Sequence, residues 1–352
     1  MKVRYRPLEL TTKHEFRISR GGRALFQNLV VEIERQGRVG RGEVAAASYH
    51  GETRETAMKA LAVWAPLVGD DPWAREAIVA RCQEALPGNH AALSGLECAL
   101  WDLCGQEAGQ PVWRLLGVDP AKMPISSLTL GLADWPTMEQ KLDEARDFPV
   151  LKIKVGGPDD LETVKKIRAR SKQRLTVDAN AAWTVEQALD LIPRLADLGV
   201  EFVEQPLAID DLEGFRRLRA LSTLPIYADE SIGTAPDVIR FQDAVDGVNL
   251  KIAKSGGLAE GYRVIATARA CGLAVMIGCM IESSLGITSA AQLGPLVDHL
   301  DLDGHWLLAD DPFTGIGGGA GKLVLPTAPG LGVEPRLATP GARTGSRAGE
   351  AG

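Results

Sequence analysis

Three carboxylates follow three short runs rich in β-branched residues, at a nearly constant interval. Asp178 ends RLTVD, Glu204 ends EFVE and Asp229 follows PIYA, so the steps between them are 26 and 25 residues. A step of about 25 residues fits one strand, one helix and two loops, which places the carboxylates on neighbouring parallel strands. Three negative charges in one crevice repel each other unless a cation compensates them, and an all-oxygen donor set suits Mg²⁺. The spacing therefore predicts a Mg²⁺ site.

Lysines flank these carboxylates in the sequence. Lys152 and Lys154 alternate within KIK, so both point to one face of a strand, and Lys251 follows a later strand-like run. Two lysines on opposite sides of a metal-bound carboxylate can take a proton from its α-carbon and return one to the opposite face. The outcome is epimerisation, or elimination where a leaving group lies β to the carbanion. We expect a lowered pKa for each lysine, because the metal and the other lysines are close.

The elements that must position these residues form a repeat. Eight strand-like runs between about residues 125 and 303 alternate with helical stretches, which predicts an α/β fold with a parallel (β/α) barrel over 121–310. Strands followed by helices predict an α+β domain over 1–120, completed by about 311–338. Residues 339–352 lack large apolar side chains, so we expect a disordered tail. The active site of such a barrel lies at the C-terminal ends of its strands.

Composition excludes several classes of protein. The 352-residue chain has a net charge of −7, which argues against a nucleic-acid partner or an anionic membrane surface. No apolar signal core or membrane-length run is present in the sequence. Five cysteines without a CxxC pair are typical of reduced thiols, so we predict a cytoplasmic protein.

The motifs KIK, VDAN, VEQP, ADES and NLKIAKSGG together resemble the muconate-lactonizing subgroup of the enolase superfamily over essentially the whole chain. The resemblance implies a (β/α)7β TIM-like barrel with an N-terminal α+β capping domain, and Mg²⁺ held by the three carboxylates. It implies that Lys154 and Lys251 are paired acid/base catalysts and that Lys152 gives electrostatic support. Asn180 is then a polar group beside the metal ligands. In this pattern Lys251 occupies the catalytic position, so Lys254 is expected to be a loop charge.

A second motif, LDLDG, resembles the dipeptide epimerases of this subgroup when taken with GCMIESSLG. In that family the pair equivalent to Asp301 and Asp303 binds the substrate ammonium. The segment FRISRGG resembles the family's mobile capping loop, in which Arg20 could pair with an acidic substrate side chain, as in L-Ala-D/L-Glu epimerases. We place Thr129 among the substrate-binding residues. For Glu230, a catalytic lysine and a surface residue are equally open as partners.

The resulting hypothesis is Mg²⁺-dependent epimerisation of a dipeptide at the α-carbon of its C-terminal residue, through a metal-stabilised enediolate. L-Ala-D/L-Glu or a related dipeptide is the expected substrate, and the resemblance is compatible with a homo-oligomer. The enzymatic alternative is an o-succinylbenzoate synthase or cycloisomerase, whose substrate has no ammonium for the aspartate pair. The alternative from another class is a non-catalytic metal-binding barrel, which would have no need of the lysines.

Overall fold

The structure is a computed structural model, and it describes residues 1–46 and 48–336. The predicted disordered tail, 339–352, lies outside the described residues. The domain boundaries inferred from the sequence stay predictions. The fold class is confirmed, because an eight-stranded parallel barrel stands beside an N-terminal antiparallel sheet with helices.

The N-terminal part begins with an antiparallel sheet in the order β1-β2-β3, followed by four helices. These elements are β1 (Lys2–Ile18), β2 (Gly21–Arg35), β3 (Arg38–Val44), α1 (Arg54–Trp64), α2 (Arg75–Ala85), α3 (His90–Ala108) and α4 (Val112–Leu115). Helix α3 is buried along most of its length, as its many small and apolar residues predict, and it packs on β3. The β1–β2 hairpin carries the FRISRGG segment at its turn.

The barrel follows in chain order. Its elements are β4 (Leu128–Leu130), α5 (Trp135–Glu144), β5 (Val150–Lys154), α6 (Asp160–Arg170), β6 (Arg174–Asp178), α7 (Val185–Asp197), β7 (Val200–Glu204), α8 (Leu212–Leu221), β8 (Ile226–Ala228), α9 (Ala235–Phe241), β9 (Gly247–Leu250), α10 (Ile252–Ser255), α11 (Leu258–Ala270), β10 (Ala274–Gly278), α12 (Ser284–Ala291), β11 (His299–Asp301) and α13 (Gly304–Leu307). Neighbouring strands pair in parallel from β4 to β11. A parallel bridge between Ser126 and Leu300 closes the ring.

The chain then returns through two small antiparallel sheets towards the N-terminal helices. Their strands are β12 (Phe313–Thr314), β13 (Gly317–Gly319), β14 (Lys322–Val324) and β15 (Glu334–Pro335). Single 3₁₀ turns lie at Ser48–His50, Ala65–Leu67, Pro120–Lys122 and Gly294–Leu296. The Leu331 amide donates to Asp102 on α3 (2.7 Å), which ties this return segment to the N-terminal domain.

Two carboxylates of the N-terminal domain cap helices of the barrel. Glu97 on α3 accepts hydrogen bonds from the amides of Leu258 (2.8 Å) and Ala259 (3.3 Å), where α11 begins. Glu43 on β3 accepts from the amide of Gly286 (3.1 Å) in the first turn of α12. A carboxylate satisfies the free N–H groups of a first helical turn and complements the helix dipole. The two domains are therefore joined by directed polar contacts as well as apolar packing.

The barrel register places the chemically important side chains at one level. Lys154, Asp178 and Glu204 are the last residues of three successive strands, and they pair directly across the sheet. Asp229 and Lys251 immediately follow β8 and β9. Because all these strands run parallel, their C-terminal ends form one rim. Within the described residues, no helix combines the length and the apolar character needed to cross a membrane.

We predict that Gly42→Ala destabilises the N-terminal domain. A methyl group on Gly42 would lie 2.0 Å from the carbonyl oxygen of Gly95 on α3, and backbone cannot move aside as a flexible side chain can. We expect a loss of about 2 kcal/mol in the free energy of unfolding, measured by urea denaturation. Gly319→Ala is the matched control, because a methyl group there meets no atom within 4 Å. Equal stability of the two variants would contradict the prediction.

Candidate active site

The three carboxylates predicted to bind metal converge at the rim of the barrel. Asp178, Glu204 and Asp229 are each fully buried, and one oxygen from each lies within 4.8 Å of the others. Burial and the neighbouring charge of Asp178 raise the pKa of Glu204 to about 8. This destabilisation of the third negative charge is what a bound cation would relieve. Three convergent carboxylates fit Mg²⁺, which takes a few carboxylate ligands and keeps other positions for water or substrate.

The predicted lysines surround this group. Lys152 Nζ lies 2.8 Å from Glu204 Oε2 and 3.0 Å from Asp178 Oδ2, so it contacts two of the three carboxylates. Lys154 Nζ lies 2.6 Å from Asp178 Oδ2. Lys251 Nζ lies 2.7 Å from the remaining carboxylate, at Asp229 Oδ2. Lys154 and Lys251 thus stand at the two ends of the carboxylate group, and both line the same cavity.

The expectation of lowered lysine pKa values depends on a bound metal and stays a prediction, because without the metal the carboxylates raise the pKa values of Lys152 and Lys251. Burial by itself lowers the pKa of Lys152, but Asp301 and the three carboxylates outweigh it, and the pKa lies well above its usual range. Burial likewise lowers the pKa of Lys251, and Asp229 reverses the effect. The adjacent carboxylates influence these two lysines more strongly than the neighbouring lysines do, and a bound cation would compensate the charge of those carboxylates.

The aspartate pair lies next to this group, where Asp301 contacts Lys152. Asp301 ends β11 and accepts hydrogen bonds from Lys152 Nζ (2.7 Å) and Ser127 Oγ (2.7 Å). Asp303 precedes α13, and its Oδ2 accepts from the amide of Thr129 (2.6 Å). Burial and the charge of Asp301 raise the pKa of Asp303 to about 6. Thr129 also lines the cavity, so the structure brings it together with both aspartates.

Cys279 is a half-buried thiol beside the aspartate pair. Its Sγ lies 3.2 Å from the carbonyl oxygen of Asp301 and 3.7 Å from Asp303 Oδ1. Burial, together with these carboxylates, raises the pKa of the thiol well above its ordinary value. Such a thiol is a poor nucleophile, since the thiolate is the reactive form.

Arg20 joins the capping loop to the barrel. Its guanidinium donates to Glu230 Oε1 (2.6 Å) and to the carbonyl oxygen of Asn180 (2.9 Å). Asn180 Nδ2 also donates to Glu230 Oε1 (3.2 Å). Glu230 therefore pairs with Arg20, an exposed residue of the β1–β2 turn, and not with a catalytic lysine. The Arg20 side chain, expected to face an acidic substrate, already faces a carboxylate of its own chain.

The structure corrects the prediction that Lys254 is a loop charge. It is fully buried, and its Nζ contacts Asp229 and donates to the carbonyl oxygen of Asn249 (2.8 Å). Burial lowers the pKa of Lys254, although Asp229 acts in the opposite direction. The segment after β9 is the four-residue helix α10, and this helix brings Lys254 into contact with Asp229. The expected loop charge is thus a structural support of that carboxylate.

Three further residues at the site were missed by sequence reasoning. Asn249 Nδ2 donates to Glu204 Oε1 (2.7 Å), and Gln205 Oε1 accepts from the amide of Asp229 (2.8 Å). Tyr49 lines the cavity from the N-terminal domain. Asn249 was detectable, since it alternates with Lys251 exactly as Lys152 does with Lys154. Tyr49 gave no comparable signal, because it lies in an irregular segment.

A cavity of about 510 Å³ lies between the β1–β2 turn and the barrel rim. Its walls include Lys154, Lys251, Asp301 and Asp303 from the barrel, and Arg20 from the N-terminal domain. Two opposed amines and an acidic pair therefore open into one space, and the buried triad lies directly behind the amines, in contact with both. This arrangement can bind a molecule that carries a carboxylate at one end and a cation at the other.

Comparison with known proteins supports this interpretation. The chain is 35% identical over 335 residues to the L-Ala-D/L-Glu epimerase of Bacteroides thetaiotaomicron, covering 95% of this chain and 88% of that protein. It is 37% identical over 334 residues to the hydrophobic dipeptide epimerase of Roseobacter litoralis, covering 90% and 93%. The dipeptide epimerase of Enterococcus faecalis V583, solved with Mg and L-Leu-L-Tyr, superposes with a TM-score of 0.89 at 34% identity, covering 94% and 98%.

Family models match both parts of the chain. Residues 3–117 match the N-terminal domain of mandelate racemase and muconate lactonizing enzyme. Residues 137–339 match the enolase C-terminal domain-like family. With relatives at about 35% identity along nearly the whole chain, the chain belongs to the mandelate racemase and muconate lactonizing enzyme branch of the enolase superfamily.

Proposed function

We propose that this protein is a Mg²⁺-dependent dipeptide epimerase that inverts the α-carbon of the C-terminal residue. The observation that carries the proposal is one cavity lined by two lysines and a separate aspartate pair, with a buried carboxylate triad in contact with both lysines. The named activities of the relatives, epimerases of dipeptides, support the same reaction. Mg²⁺ in the related dipeptide complex supports the metal.

The residues of this chain divide the work by charge. Asp178, Glu204 and Asp229 would hold Mg²⁺. When bound, Mg²⁺ compensates their charge, which lowers the pKa of neighbouring lysines, and it stabilises the negative charge that forms on the substrate carboxylate. Lys152, between the triad and Asp301, adds a fixed positive charge near that carboxylate.

Lys154 and Lys251 carry the proton transfers in this proposal. One lysine, as a neutral amine, takes the α-proton from one face of the substrate, and the other, as an ammonium group, donates a proton to the opposite face. The roles exchange when the other epimer is the substrate. Two bases at opposite ends of the triad lead to inversion, because one amine removes the α-proton from one face and the other amine delivers a proton to the opposite face.

The aspartate pair favours a dipeptide over the alternatives. Asp301 and Asp303 present two buried carboxylates to the cavity, which suits the N-terminal ammonium of a peptide. An o-succinylbenzoate synthase or a cycloisomerase acts on a substrate without that group. A non-catalytic metal-binding barrel would have no use for two amines around its cation. A cytoplasmic location and a homo-oligomer stay predictions.

Removal of the metal tests the cation site. We expect EDTA to reduce epimerisation by about 100-fold or more, because the negative charge on the substrate carboxylate loses its main stabilisation, and Mg²⁺ to restore it. The measurement is the interconversion of two dipeptide epimers, followed by polarimetry. Undiminished activity after exhaustive chelation would exclude the metal-dependent mechanism.

Replacement of each lysine tests the two-base mechanism. We expect Lys154→Ala and Lys251→Ala each to abolish interconversion, since inversion needs both amines. Each variant should still exchange the α-proton of one epimer with solvent deuterium, and the two variants should act on opposite epimers. Proton NMR in D₂O measures both effects, with Lys172→Ala, an exposed lysine, as the control. Full interconversion by both variants would refute the mechanism.

The ammonium subsite is tested by Asp303→Asn. The amide oxygen can still accept from the Thr129 amide, so the change removes the charge and leaves the local shape. We expect KM to rise by about tenfold or more, because a charged hydrogen bond to the ammonium is lost, while calorimetry shows unchanged Mg²⁺ affinity. An unchanged KM would contradict the assigned role.

A further inference from the structure

We infer that the residue epimerised by this protein carries an uncharged, apolar side chain, and not the acidic one that the presence of Arg20 suggests. The inference rests on the proposed function and narrows its substrate class. It is drawn from the charges and surfaces around the β1–β2 turn, which closes the cavity over the reacting centre.

The positive charge of Arg20 is already compensated. Its guanidinium contacts Glu230 Oε1 (2.6 Å) and the Asn180 carbonyl oxygen (2.9 Å), and it lies 5.2 Å from the centre of the Tyr49 ring. The Glu230 side chain is 1% exposed. If Arg20 turned to a substrate carboxylate, Glu230 would be left as a buried charge without its cationic partner, which is strongly unfavourable. The ion pair therefore holds the Arg20 guanidinium on Glu230, which competes with any substrate carboxylate for it.

Besides Arg20, the cations that line the described part of the cavity are Lys154, Lys251 and Arg23, and none of them offers a buried, free partner for an acidic side chain. Lys154 and Lys251 are engaged with the triad and are the proposed bases. Arg23 is exposed, and its guanidinium lies 4.5 Å from the centre of the Phe26 ring. An ion pair with such a solvated group contributes little. A carboxylate side chain would thus lose its hydration without gaining a buried partner.

The surfaces left over are apolar. Phe16, Ile18 and Phe26 come from the two strands around the turn, and Met280 and Ile281 come from the loop after β10. Phe16 and Phe26 pack edge to face, with ring centres 6.4 Å apart. Apolar side chains gain by leaving water for walls of this kind, and an aliphatic or thioether group has no polar atom to satisfy. The cavity therefore favours residues such as leucine or methionine at the epimerised position.

A cationic side chain on the substrate would also find no uncompensated carboxylate at the β1–β2 turn. Besides Asp301 and Asp303, the carboxylate that lines the described part of the cavity is Glu230, and Arg20 already compensates its charge. A second cation beside Arg20 would be repelled at close range. The Arg20–Glu230 pair thus selects against both signs of charge, which is a stronger constraint than an apolar wall alone.

The wild-type protein provides the first test. The α-proton exchange of L-Ala-L-Leu, L-Ala-L-Met, L-Ala-L-Glu and L-Ala-L-Lys in D₂O, with Mg²⁺ present, gives kcat/KM for each dipeptide. We expect the two apolar dipeptides to exceed the two charged ones by about tenfold or more. Equal or better use of L-Ala-L-Glu or L-Ala-L-Lys would overturn the inference while leaving the proposed function intact. Exchange with no dipeptide would overturn both.

A variant series tests the ion pair itself. Glu230→Gln removes the charge that holds Arg20, so the ratio of kcat/KM for L-Ala-L-Glu over L-Ala-L-Leu should rise by about tenfold. Adding Arg20→Met to that variant should abolish the gain. Arg17→Met is the matched control, because Arg17 lies in the same strand and pairs with the exposed Glu15, and its ratio should stay within about twofold of wild type. A Glu230→Gln ratio equal to that of wild type would show that Glu230 has only a structural role, and would overturn the inference.

Discussion

Mutual repulsion among Asp178, Glu204 and Asp229 is the constraint on which the rest of the site depends. Three fully buried carboxylates within 4.8 Å of one another are unfavourable unless positive charge surrounds them. The chain supplies four lysines to them: Lys152 bridges two carboxylates, Lys154 and Lys251 hold the ends, and Lys254 supports Asp229 from below. Charge balance therefore explains why the lysines and the carboxylates occur together at one rim.

Barrel topology explains how much of this could be predicted from the sequence. Parallel strands bring their C-terminal ends to one rim, so residues far apart in the chain become neighbours once the repeat is recognised. For that reason the triad and the first three lysines could be placed without coordinates. The register confirms the principle, since Lys154, Asp178 and Glu204 pair directly across adjacent strands.

What the repeat cannot predict is the conformation between strands and the balance of opposing charges. The buried position of Lys254 could not be predicted, because it results from a four-residue helix that turns the side chain inward. The partner of Glu230 lies 210 residues away on the β1–β2 turn, and no periodicity connects the two domains. The direction of the lysine pKa shifts depends on lysine–carboxylate distances of about 3 Å. Spacing along the sequence does not give such distances.

The carboxylates that cap α11 and α12 from the N-terminal domain have a consequence for how such proteins diverge. Helix α11 has no side-chain cap of its own at Gly257, and Glu97 supplies one from another domain. A chimera that combined this barrel with the N-terminal domain of a distant relative would lose that cap unless the donor carried an acid at the same place. Replacement of the domain that carries the β1–β2 turn would therefore also remove a helix cap from the barrel, whereas substitutions within the turn would leave that cap in place.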